Sequence, residues 1–113
     1  MKKLILISLL LLSLPVSAID DSIRQLGGYN KASDEEKTLF LAGLGNGMQI
    51  YNVFLRLQSN DGLFCLPPNL ATGFDIYNSI MKTEIERNSQ NYDDDTTVGI
   101  ILFKALQNSF PCN

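Results

Sequence analysis

The chain has 113 residues, a formal charge of −3, two cysteines and neither histidine nor tryptophan. Without histidine, no Ser-His-Asp or Cys-His catalytic set and no histidine metal ligation is available. The excess of 12 acidic over 9 basic residues argues against nucleic acid or an anionic membrane surface as a partner, and suits a basic one.

Lys2 and Lys3 precede an apolar run over residues 4–14, which Pro15 breaks before the small residues Val16, Ser17 and Ala18. This is the pattern of a cleavable export signal, with the cut expected after Ala18. A helix that spans a bilayer needs about twenty apolar residues. No cysteine follows the cut, so no lipid anchor is expected. Loss of residues 1–18 and their two lysines leaves one domain, 19–113, of 95 residues and charge −5. A domain of that size has a modest core. Export to the periplasm would place its thiols in an oxidising compartment. Cys65 and Cys112 therefore read as one intrachain disulfide, worth about 4 kcal/mol in the chain-entropy model. A bridge between two chains and a redox-active pair are the other readings; redox pairs commonly sit closer, as Cys-X-X-Cys.

Residues 20–26 fit a short first helix ended by Gly27 and Gly28. Ser33, with Glu36 three residues on, forms a capping box, and Asp34 and Glu35 suit the positive end of a helix. Behind it Phe40, Leu44, Gly47, Tyr51, Phe54 and Leu55 recur at helical spacing to about Gln58, where Asn60-Asp61-Gly62 signals a turn. A second long helix is expected from Asn69, its N-cap, to Asn88, with Leu70, Phe74, Tyr77, Met81 and Ile85 on one face. Residues 88–97 are polar and aperiodic, and read as an exposed loop whose Asp93, Asp94 and Asp95 cap the last helix. That helix buries Val98, Ile101, Leu102, Ala105 and Leu106 and stops at Pro111. No strand-like alternation persists, so the expected fold is all-α: a compact bundle of three main helices plus a short N-terminal helix, with one disulfide.

Gly43, Gly45 and Gly47 stand inside the first long helix, where each costs about 1 kcal/mol relative to alanine. Gly43 and Gly47 share a face that lets another backbone approach, either within the bundle or from a second copy; a kink is the third reading. No lysine and hydroxyl follow to make a phosphate loop. The run Tyr92-Asp93-Asp94-Asp95 also has three readings. It is a solvated cap, a weak calcium loop lacking the alternating ligands and glycine of an EF-hand, or a partner-binding loop with one aromatic anchor and a charge cluster.

Phe40-Leu41-Ala42-Gly43, Phe64-Cys65-Leu66-Pro67, the helix end at residues 85–88 and the closing Ala105-Leu106-Gln107-Asn108-Ser109-Phe110-Pro111-Cys112 together resemble the Rap/Tai family of type VI secretion immunity proteins. The resemblance covers nearly all of 19–113, and its most specific part is the Cys-X-Pro and Phe-Pro-Cys pair. It implies a periplasmic, all-helical protein, often a homodimer. Such a protein neutralises a peptidoglycan amidase effector, a cysteine peptidase that cuts wall peptide stems. It also implies that a helix of one subunit packs at the effector cleft while a loop of the other enters the active site. The expected loop is 88–95, with Asn91, Tyr92, Asp93, Asp94 and Asp95. The expected docking helix is 69–88, with Asp75 and Asn78. Occlusion needs no catalytic group, cofactor or metal, and no acid pair here suits an enzyme. A small periplasmic chaperone or acid-stress protein is the alternative.

Overall fold

The computed structural model describes residues 21–59, 61–68, 70 and 73–112. The expected signal peptide, the N-cap at Asn69 and the turn residue Asn60 lie outside them. Among the described residues the chain is all-α, with no strand and four α-helices: α1 (Leu26–Lys31), α2 (Asp34–Ser59), α3 (Phe74–Arg87) and α4 (Val98–Ser109). The 3-10 turns Asp21–Arg24 and Ser89–Asn91 precede α1 and follow α3.

The expected first helix at 20–26 is replaced by a 3-10 turn, and the two glycines open α1 instead of ending a helix. The cause is tertiary. The first-turn donors of α1 have no side-chain cap; the Leu26 and Gly27 N–H groups instead donate to the carbonyls of Thr96 and Asp94, at 2.8 and 2.9 Å. So close an approach leaves no room for side chains. A Cβ on Gly27 would lie 2.9 Å from the Asp94 Cβ, and one on Gly28 only 1.9 Å from the Ser22 carbonyl oxygen.

Helix α2 starts where the capping box puts it. The Ser33 hydroxyl accepts from the Glu36 N–H at 3.2 Å and donates to the Glu36 carboxylate at 3.0 Å. Glu36 thus closes on the hydroxyl, not on the backbone of Ser33. The inner face of α2 is set by Leu41, Gly45 and Asn52, all buried, with Leu44 and Met48 half-buried beside them. Tyr51 and Phe54, at helical spacing in the sequence, point outward. Gly45 lets α3 come close: a Cβ there would sit 2.3 Å from Tyr77 Cε2. The Tyr77 hydroxyl is bonded to Gln49 and donates to Asn46 Oδ1 at 3.2 Å.

Helix α3 begins at Phe74, later than the expected Asn69. Leu70 is taken up in a turn, its N–H donating to the Pro67 carbonyl at 3.1 Å, and Gly73 caps the helix without a side chain. Tyr77 and Met81 are buried on its inner face as the spacing required. Helix α4 buries Val98, Ile101, Leu102, Ala105 and Leu106, all the residues expected there. Its N-cap is Thr97, with no side-chain cap bond, so Asp93, Asp94 and Asp95 do not cap it. They stand too far upstream and fold on themselves.

Cys65 and Cys112 are joined in an intrachain disulfide. The Cys65 N–H donates to the Phe110 carbonyl at 2.7 Å beside the bridge. The same stretch is held from the α2 side by Asn52, which is 5% exposed. Its amide nitrogen donates to the Phe64 carbonyl at 2.8 Å, and its oxygen accepts from the Leu63 N–H at 2.7 Å and the Phe64 N–H at 3.3 Å.

Candidate partner-binding surfaces

The loop between α3 and α4 hangs on one buried carboxylate. Glu84, 4% exposed on α3, accepts from the Tyr92 hydroxyl at 2.7 Å and the Asn88 amide at 3.0 Å on one oxygen. Its other oxygen accepts from the Asn108 amide of α4 at 2.8 Å. Burial by itself pushes the Glu84 carboxyl up; the hydroxyl of Tyr92, the amides of Asn108 and Asn88 and the charge of Lys104 outweigh it and hold the group below its ordinary range. Tyr92 feels the reverse. Burial, then its bond to Glu84 and that residue's charge, push its hydroxyl up to about 12.

Past Tyr92 the chain turns on Asp93, whose carboxylate accepts from the Asp95 N–H at 2.9 Å and the Thr96 hydroxyl at 3.2 Å. The Asp93 N–H donates to the Thr96 hydroxyl at 2.9 Å. The carbonyls of Asp94 and Thr96 then receive the α1 donors, and Gln25 forms an isolated antiparallel bridge with Thr97. The stretch expected to be an exposed loop is largely exposed, and it is also fastened at both ends. Three acidic side chains remain exposed on it, with Asn91 beside them.

Of the residues singled out in the sequence, this brings together Asn91, Tyr92, Asp93, Asp94 and Asp95. Tyr92 is half-buried against the core, so it holds the loop and is not an exposed anchor. Asp75, exposed, and Asn78, half-buried, lie toward the other end of α3. At 1.5 Å per residue, Asp75 is about 18 Å along the axis from the end of that helix. They form a separate surface. Glu84 and Asn52 were missed because a lone polar residue on a helix gives no sign of burial. The one available signal was position: Glu84 falls three residues after Met81 and seven after Tyr77, on the apolar face.

A second surface lies on α2. Residues 38–55 carry no charge, and the outward side of the helix exposes Leu39, Ile50, Tyr51, Val53, Phe54 and Leu57. A Cβ on Gly43 or Gly47 would meet nothing within 4 Å, so packing within the bundle accounts for Gly45 and not for these two. Beside them runs an apolar groove of about 370 Å³, lined by Met48, Tyr51, Phe64 and Phe103.

No helix among the described residues is long and apolar enough to cross a membrane. No family model, curated protein or solved structure matches the chain.

Proposed function

We propose that this protein is a periplasmic immunity protein. It binds a type VI secretion peptidoglycan amidase, a cysteine peptidase, and occludes its active site. The observation that carries the reading is the fastened acidic loop, which presents Asp93, Asp94 and Asp95 on a backbone held by Glu84 on one side and by α1 on the other. A loop already ordered in the free protein loses little entropy on binding. Its charge steers it toward the basic rim of a cleft and raises the association rate. The motifs that resemble those of the Rap/Tai family give the reading its partner class.

The test is co-expression of the protein with an exported amidase of this class, scored by lysis. Protection is expected, with a complex on gel filtration. Lysis at the rate seen without the protein, and no complex, would sink the reading. Reversing Asp94 and Asp95 to lysine should weaken binding by about tenfold or more, chiefly through slower association, with thermal unfolding nearly unchanged. Equal affinity would remove the loop from the contact.

The runner-up, a small periplasmic chaperone, is favoured by the apolar face of α2. Light scattering of an acid-denatured client separates the two. Aggregation unaffected by the protein leaves the chaperone reading without support.

A further inference from the structure

The chain at 64–70 closes a cleft of about 250 Å³ against the C-terminal half of α2. Gln49, Val53 and Arg56 line the helix side, at i, i+4 and i+7 on one face. Leu66, Pro67 and Leu70 line the other. Both walls are held before anything binds. Asn52 ties the backbone at Leu63 and Phe64 to α2, and the disulfide ties Cys65 to Cys112. Pro67 and Pro68 fix their own φ.

Two polar groups in this cleft lack a partner among the described residues. Arg56 makes no hydrogen bond or ion pair there, although the chain carries more acid than base. Its stem rests on the backbone at Gly62, where a Cβ would lie 2.9 Å from Arg56 Cγ and Cδ. Gln49 gives its amide nitrogen to the Tyr77 hydroxyl, which fixes the side chain and leaves its oxygen without a donor. We propose that the cleft binds the carboxyl end of a short peptide with an aliphatic last residue. The guanidinium takes the terminal carboxylate in a bidentate bond. The Gln49 oxygen accepts a backbone N–H, and the last side chain lies among Val53, Leu66 and Leu70. Positions 49 and 56 stand about 10 Å apart along the helix axis, the span of about three extended residues. A simple anion would offer nothing to the Gln49 oxygen or to the aliphatic wall, and a fatty acid nothing to the oxygen. The cleft is smaller than the roughly 300–1,000 Å³ of sites for drug-sized ligands, which suits a chain end. Walls already in place keep the ordering cost low. The inference does not depend on the immunity reading, because binding is measured without any effector.

Calorimetric titration of the purified, oxidised protein with N-acetyl-Ala-Ala-Leu should give a Kd below about 1 mM, weakening as salt is raised. The same peptide with its carboxyl end amidated should bind about tenfold more weakly or worse. Arg56→Met keeps the stem over Gly62 and removes the charge. It should bind the acid no better than the amide, with the unfolding midpoint unchanged, and Arg56→Lys should recover part of the loss. Equal binding of acid and amide overturns the proposal, as does an Arg56→Met protein that binds like the original. No binding at peptide concentrations up to about 10 mM overturns it too. Hexanoate bound as tightly as the peptide would make this a site for simple aliphatic acids, and would likewise overturn it.

Discussion

Glu84 shows how much one side chain organises here. A buried carboxylate is costly unless its lone pairs are filled, and three donors from the loop, the end of α3 and helix α4 fill them. Glu84→Gln keeps the shape, and a flipped Asn108 amide can satisfy the new nitrogen, so the variant should fold. It gives up charge-assisted bonds and should be less stable by about 1–2 kcal/mol at neutral pH. The folded carboxyl titrates below its ordinary value of 4.5. Its contribution is therefore complete above that value and lost as pH falls through the lower, folded one. Urea unfolding from pH 7 down to pH 3 should show the gap between the two proteins closing only at the acid end. A gap constant with pH would mean that Glu84 is not ionised in the folded protein. Glu84 and the exposed Glu86 are chemically alike, so only the place of Glu84 on the apolar face of its helix hints at burial, and its partners come from the loop and α4. Asn52 is the same case: its partners lie 11 and 12 residues away across a turn.

At the scale of helices, periodicity foretold α2, α3 and α4 and all five buried residues of α4, while capping foretold only the start of α2. They failed where a neighbouring segment supplies the bonds. Gly27 and Gly28 are helix breakers by propensity, yet they begin a helix because loop carbonyls meet the N–H groups of Leu26 and Gly27. The three glycines of α2 also look alike in sequence and divide in space. Gly45→Ala should destabilise the protein by about 1–3 kcal/mol, because its Cβ would overlap Tyr77 in a core already filled. Gly43→Ala should stabilise the fold by up to about 1 kcal/mol, since alanine is the better helix former and nothing stands in its way. Denaturant titration checks both signs. Equal effects would mean that α2 and α3 do not approach as closely as described.

Across the whole molecule, the bridge between Cys65 and Cys112 closes a loop of 47 residues that contains α3, the acidic loop and α4. Replacing both cysteines by serine should cost about 4 kcal/mol in urea unfolding, of the order of the net stability of a small domain. A loss under about 1 kcal/mol would mean that the reduced chain already holds these ends together. The disulfide was legible from the cysteine count taken with the expected export signal, whereas the candidate site was legible only in part. A run of aspartates announces charge, but the geometry that fastens it is made by Leu26 and Gly27, far away in the chain. That pairing has a consequence in time. The N–H groups of residues 26 and 27 bond to residues 96 and 94, and the most deeply buried helix follows immediately after. A chain made from its N-terminus thus holds α1 and α2 before their partners exist. The N-terminal segment can therefore be fastened only after residues 94–96 have been made, whereas α2, α3 and α4 each pack against the helix next to them in the chain. Until α3 has been made the uncharged stretch of α2 lies open on both sides, and a nascent chain halted before residue 74 is the form most prone to aggregate.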